Sequence, residues 1–294
     1  MTNLFIANVS TAKTPYLETE GGRIAYTIEG TGPLVICVPS MGDLRQEYRY
    51  LVPQLVEAGY TAVAMDVRGH GESSTGWADY SVAGVGRDII SLIRHLDRGP
   101  AFVVGTSMAA GAAVYAAAEA PEQVAGLVAI GPFVRDIPVP GYMNLLYKLL
   151  FGVALRKPWG PSAWAKYYRS LYPSTPPADL LQYVDTLKAN LTEPGRLAAL
   201  RGMMFASKAA SGDRLDRVQA PALVIMGSKD PDFKDPRAEA ELVANRLHGE
   251  LRMLDGAGHY PHAEMPAVTG PAIIEFLDRV RARTPDTEKQ AVAR

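Results

Sequence analysis

Ala101-Phe-Val-Val-Gly105-Thr106-Ser107-Met108-Ala109-Ala110-Gly111 runs from an apolar stretch through a serine into an alanine-rich segment. Ala101 to Val104 reads as a buried strand, and Met108 to Ala120, stopped by Pro121, as a helix. A serine at such a junction has the context of a nucleophile elbow, G-x-S-x-G. The sharp turn strains the serine backbone, so the residues two before and two after it must be small. Gly105 meets that demand. Ala109 stands where a second glycine is usual but is still small. The plainer alternative is a serine that merely caps a helix. As an elbow, Ser107 would sit at a helix N-terminus, where N–H groups and the helix dipole favour a developing anion. The Met108 N–H would then be one oxyanion donor.

Outward from this point the chain alternates. Upstream, Tyr16 to Thr19 and Arg23 to Glu29 flank a Gly-Gly turn as a hairpin, and Leu34 to Val38 is a continuous apolar run. Such runs fit strands covered on both faces. Tyr48 to Ala58 reads as a helix, Thr61 to Met65 as a strand, and Val82 to Leu96 as a one-faced helix. Downstream, Val124 to Ile130 is a strand. Between Phe133 and Asp216 the alternation lapses into a helical, aromatic stretch punctuated by prolines. It resumes with strand Ala222 to Met226, helix Pro236 to Leu247, strand Glu250 to Leu254 and helix Thr269 to Arg283. Asp235 before Pro236 reads as a helix N-cap. The pattern predicts an α/β fold: a mainly parallel, doubly wound sheet of about eight strands. Residues 1–132 and 217–294 would form the core and 133–216 an inserted helical cap. Most aromatics of the insertion read as ordinary packing. Thr284 to Arg294 reads as a frayed tail.

The whole chain of 294 residues suits one core with an insertion. Hydrophobic residues make up 48% and charged ones 21%, with a net charge of −1, so no nucleic-acid footprint is present. Arg45 to Arg49 and Arg279 to Arg283 read as solvated helix faces. A single cysteine, Cys37, excludes an internal disulfide and a cysteine metal cluster, and its apolar surroundings suggest an inert thiol. The first thirteen residues lack the pattern of a secretory leader, and no stretch approaches the ~18 apolar residues of a membrane span. The expected location is cytoplasmic. Nothing excludes an oligomer.

The residues after the other strands carry a resemblance. Pro39-Ser-Met-Gly-Asp43 follows the run Leu34 to Val38; Asp66-Val-Arg-Gly-His-Gly-Glu-Ser73 follows Thr61 to Met65; Gly227-Ser-Lys-Asp230-Pro-Asp232 follows Ala222 to Met226; and Gly256-Ala-Gly-His259-Tyr-Pro-His262 follows the last strand. With the elbow, these make the chain resemble the α/β-hydrolase superfamily, in its capped serine-esterase-like branch, over residues 16–283. The resemblance implies Ser107 as nucleophile, His259 as base and Asp230 as the carboxylate orienting it, in the chain order of the fold. His262 is the rival base. Asp232 is the close rival acid, and Asp136 a more distant one. The branch usually has His-Gly-x after the third strand; aligned on it, Met41 takes the place of the second oxyanion N–H. Asp66 and Arg68 would hold a tight glycine loop, with His70 structural within it. His95 and His248 end helices and read as incidental.

What the resemblance implies is a carboxylesterase acting on small or medium apolar esters, with no cofactor and no metal. A C–C bond hydrolase, a lactonase or a perhydrolase would use the same three residues. Haloalkane dehalogenases and epoxide hydrolases of this fold attack with an aspartate instead. From another class, a ligand receptor built on the same fold is the rival reading.

Overall fold

A computed structural model of the chain describes residues 13–136 and 140–283. The tail over 284–294 and the first twelve residues therefore lie outside the described part. In chain order the elements are β1 (Tyr16–Thr19), β2 (Gly22–Glu29), β3 (Leu34–Val38), α1 (Leu51–Glu57), β4 (Thr61–Met65), α2 (Val82–Leu96), β5 (Ala101–Thr106), α3 (Met108–Glu119) and β6 (Val124–Ile130). Among the described residues, five helices follow before the next strand: α4 (Gly141–Ala154), α5 (Gly160–Ser170), α6 (Leu180–Thr192), α7 (Arg196–Phe205) and α8 (Ala209–Gly212). The chain then returns with β7 (Ala222–Gly227), α9 (Pro236–Arg246), β8 (Glu250–Leu254), α10 (Pro261–Glu264) and α11 (Pro266–Arg283).

The eight strands form one sheet in the order β1-β2-β4-β3-β5-β6-β7-β8. Only β1–β2 and β2–β4 pair antiparallel; every other pair is parallel. Successive side chains of a strand point to opposite faces. Accordingly Leu34, Ile36 and Val38 of β3 enter one core with α2, α3 and α9, while Val35 and Cys37 enter another with α1 and α11. Both faces of the central strands are covered, which is why these strands read as unbroken apolar runs.

Register fixes where the loops emerge. Val38 of β3 pairs with Gly105 of β5, Thr106 with Ile130 of β6, Ile130 with Ile225 of β7, and Gly227 with Leu254 of β8. The carboxyl ends of five neighbouring strands are thus level, and the loops carrying Met41, Ser107, Gly131, Asp230 and His259 leave from one edge. Ligands of open α/β sheets bind at that edge.

Three expectations need correction. The helix expected from Tyr48 starts at Leu51, because Arg45–Tyr48 is a separate 3-10 turn. Nor is Arg45 to Arg49 a solvated face. Arg45 pairs with Asp66 and Glu72, and Glu47 is buried. Most aromatics of the insertion were expected to pack. Trp164, Tyr168 and Tyr172 do, but Tyr142, Tyr147, Phe151 and Trp159 are exposed.

Candidate active site

Ser107 sits between β5 and α3 at φ 57°, ψ −122°, a left-handed conformation that costs on the order of 1–3 kcal/mol in a residue other than glycine. Three backbone contacts hold it: its N–H donates to Ile130 O at 2.8 Å, and its carbonyl accepts from Phe133 and Ala110, each at 3.1 Å. A Cβ on Gly105 would come 2.5 Å from Ala109 O, so only glycine fits two residues before the serine. The alanine two residues after is accommodated and fully buried. Ser107 makes no side-chain cap bond to α3, unlike Ser81 and Asp235, whose oxygens accept from Gly84 and Ala238. The capping alternative thus lacks its defining contact.

His259 is buried, and its Nδ1 lies 2.7 Å from Asp230 Oδ2. The other Asp230 oxygen accepts the Asp232 N–H at 3.0 Å, which fixes the carboxylate plane. Asp232 approaches the opposite ring nitrogen, Nε2, at 3.7 Å, and its two oxygens lie 2.7 and 2.8 Å from the Tyr167 hydroxyl. Burial pulls the His259 imidazole down, but the Asp230 and Asp232 carboxylates outweigh it and hold the ring up at about 9. Gly131, just after β6, connects this pair to the serine. A Cβ there would stand 3.2 Å from His259 Nδ1, while Ile130 beside it accepts the Ser107 N–H.

None of the other candidates pairs with the His259 ring, although Asp136 lines the same cavity as Ser107. His262 is stacked on Tyr48 with centroids 5.1 Å apart, and its Nε2 is 3.1 Å from Glu47 Oε1; burial pulls it down to about 3. Asp136 accepts from Ser207 Oγ and from the Lys208 N–H. His70 accepts the Gly42 N–H on Nε2, as a structural residue would. His259, Asp230 and Asp232 offer ligand atoms within 4.8 Å of one another, the set a metal would use, though the Nδ1–Asp230 spacing is that of a hydrogen bond.

The loop after β3 has an orderly accounting of donors. Ser40 N–H goes to Glu47 Oε2, Gly42 to His70, Asp43 to Ser40 O and Leu44 to Asp43 Oδ1. Among the described residues, the Met41 N–H alone in this run has no acceptor. Met108 opens α3, so its N–H has no acceptor within the helix.

Helices of the insertion clamp the same loop. Trp164 Nε1 donates to Gly42 O at 3.1 Å, Tyr168 donates to Asp43 Oδ2 at 2.7 Å, and Tyr183 donates to Asp43 Oδ1. Burial, with the nearby Glu47 carboxylate, pushes Asp43 well above the ordinary carboxylate range. Burial likewise lifts Glu47 to about 7. Sequence reasoning missed Asp43, Glu47, Trp164, Tyr168 and Tyr183. Only the acid–aromatic pairing across more than a hundred residues defines the cluster, and no local signal marks it.

Above these residues lies a cavity of about 660 Å³. Met41, Ser107 and Asp232 line it from the sheet side, and Tyr147, Phe151 and Trp164 from the insertion. The profile of the alpha/beta hydrolase family matches residues 35–271. The chain belongs to that family. A 2-(acetamidomethylene)succinate hydrolase from Mesorhizobium japonicum is 30% identical to this hydrolase over 267 residues, covering 87% of this chain and 93% of the relative. Solved structures share the fold as well, two of which illustrate it. A hydrolase from Pseudomonas aeruginosa PA01 has a TM-score of 0.74 at 24% identity, covering 92% of this chain and 99% of the other. An esterase from Exiguobacterium antarcticum has a TM-score of 0.77 at 17% identity, covering 90% and 100%.

Proposed function

We propose that this hydrolase cleaves small or medium apolar carboxylic esters through an acyl-enzyme on Ser107, with helices α4–α8 acting as a cap. The reading rests on the 2.7 Å contact of His259 Nδ1 with Asp230, beside a cavity that Ser107 lines. Neutral His259 takes the Ser107 proton as Oγ attacks the ester carbonyl. Asp230 holds the ring and offsets the charge it gains. The Met41 and Met108 N–H groups receive the oxyanion, each contributing about 3–4 kcal/mol to the barrier reduction. The protonated His259 then releases the alcohol. Water, activated by the same ring, frees the acid and restores Ser107.

A second reading has one observation in its favour. Lys208 lines the cavity, is buried, and bonds only carbonyls: Ala206 at 2.8 Å, Met204 at 3.1 Å and Met203 at 3.4 Å. Its Nζ makes no direct ion pair, although the Asp136 carboxylate acts on it across the cavity, and such a buried cation would suit a substrate bearing its own carboxylate, as the name of the Mesorhizobium relative's substrate implies for that enzyme. The same Ser107 chemistry would then cleave a C–N or C–C bond.

Hydrolysis of p-nitrophenyl esters from acetyl to palmitoyl, by wild type and Ser107→Ala, tests the first reading. Serine-dependent turnover with a chain-length optimum supports it. No ester turnover, with Ser107 still labelled by an organophosphonate, overturns it in favour of the second reading, a lactonase, a perhydrolase or a receptor. Residual turnover of more than a few per cent in Ser107→Ala removes Ser107 as nucleophile.

A further inference from the structure

Helix α4 carries two apolar faces. On one, Tyr147, Phe151 and Ala154 line the cavity. On the other, Tyr142, Leu145, Leu146, Leu149, Leu150 and Val153 follow the spacing i, i+3, i+4, i+7, i+8, i+11. At 3.6 residues per turn they form one stripe within an arc of about 140°. Each of the six is more than half exposed, from 52% at Leu146 to 76% at Tyr142. Trp159 extends the stripe. It is 53% exposed and is held at the end of α4 by its Nε1, which donates to Val153 O at 2.9 Å. Elsewhere among the described residues, the exposed large apolar side chains, Leu181 and Val268, stand singly. A contiguous apolar stripe this exposed marks an interaction surface.

The charges around it select the partner. Between Asp136 and Asp179 the sequence has no acidic residue, but it has Lys148, Arg156, Lys157, Lys166 and Arg169. All five are exposed, and among the described residues none pairs with a carboxylate. The chain as a whole is at −1, so this is a local feature. A two-fold pairing of α4 with its own copy would set Lys148 and Arg156 against their equivalents with no acid in the segment to offset them. A partner that is apolar within and negative at its surface answers both features.

We propose that α4 docks this protein onto an anionic phospholipid bilayer, lying in the plane of the interface. The leucine stripe enters the acyl boundary, Tyr142 and Trp159 sit at headgroup depth, and Lys148, Arg156 and Lys157 meet the phosphates. At 14 residues α4 is about 21 Å long and lies flat rather than spanning. No helix of the described residues is long and apolar enough to cross a membrane. Because Tyr147 and Phe151 share α4 with the stripe, docking brings the cavity wall to the bilayer edge. This inference does not depend on which bond the enzyme cleaves.

Sedimentation of the full chain with sucrose-loaded vesicles tests it, using phosphatidylcholine alone and phosphatidylcholine mixed with phosphatidylglycerol. Wild type is expected to bind the mixed vesicles about tenfold more tightly, with the preference lost in high salt. Leu146→Glu with Leu150→Glu should abolish binding to both vesicles. Lys148→Glu with Arg156→Glu should remove the preference for phosphatidylglycerol. All four residues are exposed, and an unchanged far-UV circular dichroism spectrum establishes that the variants fold. Absence of wild-type binding to the mixed vesicles, or wild-type binding by the leucine variant, overturns the proposal. A concentration-dependent dimer that the leucine variant dissociates, without vesicle binding, assigns the stripe to a second copy and overturns it as well.

Discussion

His70 Nε2 accepts the backbone N–H of Gly42 at 3.1 Å, so the glycine loop after β4 braces the loop after β3 from behind. The contact requires Nδ1 to carry the proton, and Nδ1 lies 3.2 Å from Arg68 O, an acceptor. Burial pulls His70 down to about 4, so the ring stays a neutral acceptor at ordinary pH. Because Gly42 follows Met41, the bond orients the peptide unit next to the proposed oxyanion donor. His70→Ala is expected to lower kcat about 10–100-fold with a smaller change in KM. His70→Asn, whose side-chain oxygen can accept the same N–H, should recover part of it. Equal loss in both variants, carried by KM, would show that His70 does not act through that loop.

Asp230 and Asp232 should separate cleanly in kinetics. Asp230→Asn removes the acceptor at Nδ1 and is expected to cost about 10³–10⁴-fold in kcat. Asp232→Asn should cost far less. Steady-state rates of the two variants decide the matter, and the reverse ranking would move the orienting acid to Asp232.

The same pair sets a pH profile. A base must be neutral to take the serine proton, and His259 is held up at about 9. The neutral fraction therefore grows as pH rises toward that value, and kcat/KM should climb about tenfold per unit below it and level off above. Asp232→Asn removes one of the charges that raise the ring, so its profile should shift to lower pH. An unshifted limb would mean that Asp232 does not act on the ring.

Glu47 offers a stability test. Burial lifts its folded pKa to about 7, above the ordinary carboxylate value of 4.5. The folded state then holds a proton that the unfolded chain releases. The stability this contributes is fully present below about 4.5 and is lost as pH rises through about 7. Glu47→Gln keeps an oxygen for the Ser40 N–H and can donate to His262 Nε2. It should gain stability relative to wild type between those values, on the order of 1–3 kcal/mol by pH 8. Urea unfolding at pH 4.5 and 8 measures the difference. A gap that does not grow with pH would show that Glu47 is ionised throughout.

Sequence legibility follows the range of the interactions. The helix Val82–Leu96 and the strand-serine-helix junction at Ser107 are read to the residue or nearly so, because their determinants are local: apolar spacing, a small residue at 105 and a proline at 121. His259 and Asp230 are legible only through resemblance to family loops. Nothing local distinguishes Asp230 from Asp232, and only the fold shows which ring nitrogen each one meets. Glu47 and Arg45 are misread as solvated because a charged run resembles a surface. Their burial comes from Asp66, His262 and Ser40, groups that the fold supplies. The outward stripe of α4 is visible in sequence as an apolar patch, but its exposure is not.

The bonds from Trp164, Tyr168 and Tyr183 to Gly42 and Asp43 bear on modularity. An insertion between two strands invites exchange, as a segment that could be transplanted between related enzymes to change what they accept. Here the graft would bring two hydroxyl donors that need an aspartate at the recipient's position 43, and an indole donor that needs the carbonyl beside it. A foreign insertion placed in this chain would strip both hydroxyls from Asp43, a carboxyl already out of water. Recombination at the borders of α4–α8 therefore succeeds only when residues 39–44 travel with it, and the two stretches, far apart in the chain, form a single unit of exchange.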